Sequence, residues 1–177
     1  RHKDFIQIRQ INAFATDALN IDATTYGLEG DISYALGRFW KAWGTLAWVH
    51  GENDSNDKPL SQIPPLEGRI GAGYDNKTWS AGALLRMVQG QKRYDTGYGN
   101  IVGQDIGASA GFAIVSLNAG YRPSKGFLVT AGVDNLFDRT YAEFISRSGA
   151  MVGGFTQTTR VNEPGRTLWL KANIALN

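Results

Sequence analysis

Cysteine is absent from all 177 residues, so neither a disulfide framework nor a thiolate metal centre can be built from this chain. Other soft ligands are scarce. His2, His50, Met87 and Met151 stand far apart with no paired spacing, whereas a site for a soft metal ion clusters imidazole and thioether donors. No apolar run reaches the roughly 18 residues that a membrane-crossing helix needs. Net charge is only +2, and the basic residues are scattered, which argues against nucleic acid as a partner. With 42% hydrophobic residues and few prolines, the composition is not that of a disordered chain. No export leader is present at the start, Arg1-His2-Lys3-Asp4. The stretch reads as beginning partway along a longer protein.

What the chain does have is alternation at period two, the signature of strands with two unlike faces. Tyr26, Leu28, Gly30, Ile32, Tyr34 and Leu36 share one face; Thr25, Gly27, Glu29, Asp31, Ser33 and Ala35 share the other. The same sorting sets Trp40, Leu46 and Trp48 against Lys41 and Thr45, and Gly68, Ile70 and Tyr74 against Glu67 and Arg69. It also sets Trp79, Leu85 and Met87 against Ser80 and Arg86, Val115, Leu117 and Tyr121 against Ser116 and Asn118, and Phe127, Val129 and Val133 against Thr130 and Asp134. In the last segment Leu168, Leu170, Ile174 and Leu176 oppose Thr167, Lys171 and Asn173. About eight strands are predicted: near Phe5–Ile11, then about 19–36, 39–49, 64–74, 78–89, 108–121, 127–136 and 165–176.

Connections alternate in length. Short turns are expected at Gly37-Arg38, at Asp75-Asn76-Lys77 and at Arg122-Pro123-Ser124-Lys125-Gly126, with long polar loops at about 49–63, 89–107 and 137–163. Outer-membrane barrels put short turns at the periplasmic end and long loops outside. Tyr34, Phe39, Trp40, Tyr74, Trp79, Tyr121 and Phe127 all lie beside the short turns, as an interfacial aromatic belt does. Trp40 and Trp48 are eight residues apart, on the order of 20 Å of membrane after strand tilt. A soluble sandwich also alternates, but its strands are shorter and its aromatics sit mid-strand. The pattern therefore predicts an all-β, antiparallel transmembrane β-barrel.

The stretch Ala131-Gly132-Val133-Asp134-Asn135-Leu136-Phe137-Asp138-Arg139-Thr140-Tyr141 resembles the penultimate-strand motif of TonB-dependent receptors, and Pro164-Gly165-Arg166 matches the opening of their last strand. Tyr26-Gly27-Leu28-Glu29-Gly30 and Ile63-Pro64-Pro65 resemble two further elements of that family. Ser146–Met151 and Thr159–Leu170 look most like the TonB-dependent copper receptors. The resemblance implies that residues 1–177 are the C-terminal eight strands of a barrel of about 22. A plug domain and a TonB box would lie in the absent N-terminal part. It implies partners (outer-membrane lipid, the plug, the remaining strands and the TonB complex), a Gram-negative outer-membrane location, and a metal or metal chelate, copper foremost, as cargo and not cofactor. Copper ligands are implied to lie in the absent part. Family members close on an aromatic residue, and the position after Ala175-Leu176-Asn177 has the parity for one.

No catalytic, cofactor or metal residue is assigned, and the chain does not read as an enzyme. Glu29 and Asp31 are the one carboxylate pair of interest, but no Ser-His-Asp spacing accompanies them. Gly97-Tyr98-Gly99 lacks the helix and Lys-Ser/Thr of a phosphate loop. Lys41, Glu67, Arg69, Arg86 and Lys171 are expected to face the plug or lumen water, and Arg166 to pair with loop carboxylates. Met87 is expected to face lipid, His50 to sit at the interface, and Met151 is the best placed to touch substrate. The alternative weighed is a self-standing small barrel of structural or adhesive role. Its interior would have to be packed with side chains, which the inward glycines do not supply.

Overall fold

The computed structural model describes residues 1–12, 15–100, 104–149, 153–154 and 158–175. These form β1 (His2–Asn12), β2 (Ala15–Leu36), β3 (Trp40–Asn53), β4 (Lys58–Pro59), β5 (Glu67–Asp75), β6 (Trp79–Val88), β7 (Phe112–Ser124), β8 (Phe127–Asp134) and β9 (Thr167–Ile174). The sheet is an antiparallel meander in the order β1-β2-β3-β5-β6-β7-β8-β9, with β4 a short flap on β3. Among the described residues β1 and β9 do not pair, so the sheet is open.

The register carries the two-faced pattern across the sheet. Ile32, Gly44, Ile70, Leu85 and Val115 are successive partners in one row, and Leu117, Val133 and Leu168 in another. A slip of one residue anywhere would turn a strand's apolar set to the wrong side. The apolar face is bare: Leu28 is 65% exposed, Leu46 48%, Ile70 57% and Leu117 38%. That much uncovered apolar surface fits lipid as its solvent and not a dry core. The belt beside the short turns is assembled as expected. Trp79 stacks on Tyr121 at 4.3 Å, and Tyr74 meets Trp40 at 5.1 Å and Phe39 at 6.0 Å. At the other end Tyr26, Trp48 and His50 make a second cluster on the same face.

Several boundaries differ from expectation. β3 runs on to Asn53 because β2 pairs with it as far as Ala23. β5 begins at Glu67 and not at 64, since Pro64 and Pro65 have no N–H to give the ladder. β7 starts at Phe112, four residues late, and continues through Pro123 to Ser124. A bulge between Tyr121 and Ser124 takes the proline, and only Lys125-Gly126 turns, with Gly126 at φ +81°. The β5–β6 turn is held by Asn76, whose Oδ1 accepts from the amides of Thr78 (3.0 Å) and Trp79 (2.6 Å).

The small buried core, Ile21, Ala23 and Leu60 with Phe5, Leu19 and Ile63 against it, lies where the upper β1–β2 hairpin meets segment 60–63. Segment 97–100 covers β1's edge: Gln10 N donates to Gly97 O (2.8 Å), and Gly99 N to Ile8 O (3.0 Å). Leu176 lies outside the described residues.

Candidate functional site

The inward face carries the chemistry. Glu67 and Arg69 are two apart on β5, and Arg86 is opposite Arg69 on β6, so all three project inward side by side. They bind one another instead of standing free in lumen water. Arg86 donates through Nε and Nη2 to both oxygens of Glu67 (3.0 and 2.7 Å), and Arg69 Nε donates to Glu67 Oε1 (2.5 Å). The partner that sequence reasoning missed is Glu143, far off in the β8–β9 connection. Its carboxylate accepts from Arg86 Nη1 at 2.5 Å. Arg86 also lies 5.3 Å over the Phe112 ring, which packs on Tyr141 of the same connection at 4.3 Å. Wall and loop together bound a cavity of about 510 Å³, with Glu29, Thr45, Arg69 and Arg86 on one side and Glu143, Phe144 and Ile145 on the other.

Arg160 anchors the loop. Its guanidinium donates to the carbonyls of Phe144 (3.2 Å), Ala108 (2.7 Å) and Gly107 (2.5 Å), so a buried cation spends its donors on backbone oxygens. The two motifs of the family resemblance meet here. Asn135 holds the amide and carbonyl of Arg139 (2.9 and 2.8 Å) and reaches Pro164 O at 3.4 Å, while Asp138 Oδ1 accepts from Arg166 N at 2.7 Å. Arg166 therefore meets a loop carboxylate through its backbone. Among the described residues its guanidinium makes no ion pair.

Below the cavity the wall is low in relief. One row runs Lys41, Gly73, Gly82, Asn118, Gly132, Trp169. The Trp169 ring lies where a side chain on Gly132 would be, and Trp43 does the same over Gly71. Glu29 and Asp31 face inward and are exposed, and among the described residues no histidine is brought to them. Lys41 and Lys171 are exposed on the same face.

Among the described residues the sulfur and imidazole groups do not converge. Met87 is on the outward face, His50 stacks on Tyr26 at 4.8 Å with its Nε2 3.0 Å from Glu52, and His2 meets Thr25 Oγ1 at 3.1 Å. Met151 lies outside the described residues. Among those described, no group of three His, Cys, Asp or Glu could hold a metal ion.

Outside the membrane, Asp105 is buried and accepts from the amides of Gln62 (3.2 and 3.3 Å) and Asp95 (3.0 Å). Burial holds its carboxyl above the ordinary range. The charge of Asp95 pushes it further, while the two amides and Arg160 oppose. Asp95 itself takes Lys58 at 3.3 Å, and its Oδ2 has no partner among the described residues.

A two-faced antiparallel sheet with a bare apolar exterior, belts at both ends and a charged interior defines a stretch of outer-membrane β-barrel. Residues 1–136 match the family described as TonB dependent receptor-like, beta-barrel, and the chain belongs to that family. The copper transporter OprC superposes with a TM-score of 0.92 at 43% identity, over 98% of this chain and 27% of that one. A ferric enterobactin receptor mutant of Pseudomonas aeruginosa gives a TM-score of 0.68 at 27% identity, over 90% of this chain and 23% of that one. In sequence, the ferric enterobactin receptor of P. aeruginosa is 33% identical over 83% of this chain and 20% of its own length; the ferrienterobactin receptor of Escherichia coli is 26% identical over 92% and 24%. The chain thus spans about a fifth to a quarter of these relatives.

Proposed function

We propose that this chain is the C-terminal wall of a TonB-dependent receptor that imports copper, free or chelated, across the outer membrane. The whole barrel would have about 22 strands, with a plug filling the lumen and TonB driving its rearrangement. This segment supplies lipid-facing wall, inner wall and three external loops; it carries out no chemistry of its own. The copper reading rests on one observation: likeness to OprC, at 43% identity and a TM-score of 0.92, far exceeds that to the enterobactin receptor structures. Copper ligands would then come from the plug and earlier strands, in keeping with an inner wall of glycine, carboxylate and arginine here. A self-standing small barrel fits less well, since among the described residues β1 and β9 do not close on each other and the inward row is glycine-rich.

Calorimetry on the intact receptor with Cu(I) and Cu(II) tests the cargo. Saturable binding of either ion is expected; failure of both removes copper. The sequence relatives favour one second reading, a ferric catecholate chelate, which the same titration with a ferric catecholate would reveal. A natural mature protein about four times this length is expected, and one of 177 residues would overturn the receptor reading.

A further inference from the structure

One external connection does not stay above its own strands. It leaves β6 at Val88 and returns in β7 at Phe112, yet residues 97–100 lie on the far edge of β1, and β2, β3 and β5 separate β1 from β6. Four strand spacings are roughly 19 Å. The connection is therefore a strap. Gln10 N donates to Gly97 O (2.8 Å), Gly99 N to Ile8 O (3.0 Å) and Ile8 N to Asn100 Oδ1 (2.7 Å), with Tyr98 opposite Arg9. It crosses on the inner side of the β1–β2 hairpin: Leu60 and Ile63 cover the inward Ile21 and Ala23, and the Gln62 side chain fills the space beside Gly99. Pro64 and Pro65 border both the cavity of about 510 Å³ and a second of about 310 Å³, which is also lined by Gln89–Arg93 at the root of the strap. Val49 lines both.

The strap is fastened at one junction. The Asp105 amide donates to Tyr98 O (2.8 Å) and its carbonyl accepts from Gly97 N (2.9 Å), while its carboxylate takes the amides of Gln62 and Asp95. Asp95, buried beside it, has Lys58 on Oδ1 and no partner on Oδ2 among the described residues. The other charges around the junction are engaged: Arg160 on the carbonyls of Gly107 and Ala108, Arg9 on Asp17 (2.6 Å) and Arg93 on Glu52 (2.6 Å). Two buried carboxylates thus share one hydrogen-bonded lysine, and one oxygen lacks a donor. A proton on the pair removes a charge that burial penalises, and burial already holds the Asp105 carboxyl above its ordinary range. Released from the junction, both acids would be hydrated and ionised at neutral pH, so protons favour the docked strap.

We infer that the strap is a proton-latched gate on this side of the external mouth: a proton on the Asp95–Asp105 pair keeps residues 97–100 on β1, and with both acids charged the strap lifts and opens the cavity beside Val49 to the outside. The gate acts on access to the lumen whatever the cargo, so its failure and that of the copper proposal are distinguishable.

Spin labels on Thr96→Cys and Asn20→Cys, both exposed positions, report the distance from strap to hairpin in the intact receptor, in a background free of other cysteines. One short distance is expected at about pH 5, and a second, longer population at about pH 8. Asp105→Asn, which keeps an acceptor oxygen and removes the charge, should hold the short distance at both values. Asp95→Asn should do the same and serves if the first variant fails to assemble. Access is read by labelling Val49→Cys on whole cells with an impermeant maleimide at about pH 8; adding Asp105→Asn should slow labelling about fivefold or more. A single distance at both pH values, a pH response kept in the Asn variants, or labelling of Val49→Cys that is absent or equal in the two backgrounds would overturn the gate.

Discussion

Arg86 joins the barrel wall to its last connection, holding Glu67 with two hydrogen bonds and Glu143 with one. Its side chain is only 20% exposed, beside carboxylates at 23% and 26%. Losing the arginine would strand two half-buried carboxylates, which costs more than losing an exposed pair. Arg86→Ala is expected to destabilise the docked loop by about 1–3 kcal/mol, and Glu143→Gln by less, since the amide still accepts from Arg86. Protease cleavage within 140–149 on the intact receptor should follow that order; equal cleavage in wild type and Arg86→Ala would show the loop is held by other contacts. Asp105 supplies a pH dependence with a definite sign. Its pKa is raised on folding, so its contribution to stability is full below the unfolded value near 3.9 and is lost as pH rises through the folded value. Ordering of residues 95–100 and 104–105 is expected to strengthen as pH falls from neutral. Asp105→Asn should flatten this dependence in hydrogen exchange corrected for intrinsic rate, and a variant with unchanged slope would put the dependence elsewhere.

At the scale of elements, the strands were legible because each has one apolar and one polar face, and a period of two survives any tertiary context that keeps a strand in lipid. Residues such as Leu28, Ile70 and Leu117 could be placed from parity alone. The ends of strands were less legible, because they depend on where prolines, bulges and loop pairings fall. Pro123 looked like a turn residue, yet the Tyr121–Ser124 bulge absorbs it; the upper part of β1 gains a partner in 97–100 that no local pattern announces. The charged site was half legible. The alternation alone places Glu67, Arg69 and Arg86 inward, but Glu143 and Arg160 belong to a long connection whose folding back is a tertiary event with no periodic signature. Glycine positions carry a further element-scale consequence. A Cβ on Gly71 would occupy the place of the Trp43 ring, and on Gly132 that of Trp169. Gly132→Val should push Trp169 off the wall and shift its fluorescence, and its Cβ, 2.9 Å from the Leu117 carbonyl oxygen, should also strain the β7–β8 pairing; an unmoved spectrum would mean the ring does not rest there.

At the scale of the whole molecule, the fold is maintained by a division of solvents: hydrocarbon outside, water or plug inside. Ile32 lies midway between the two aromatic belts on the outward face, 72% exposed, while its neighbour Ser33 points inward opposite Trp43. A lysine at each of these adjacent positions meets different media. At Ile32 the ammonium would enter the bilayer midplane, at a cost of about 2–4 kcal/mol. At Ser33 it would join Lys41 and Lys171 on a face that already tolerates charge, and the cost should stay near the roughly 0.5 kcal/mol of an ordinary surface change. Assembly yield of the intact receptor in the outer membrane, read as the heat-modifiable band, should drop for Ile32→Lys and hold for Ser33→Lys. Equal yields would mean that the two faces do not see different solvents. The reverse order would place the lumen on the wrong side of the sheet, and with it every inward residue assigned to the site.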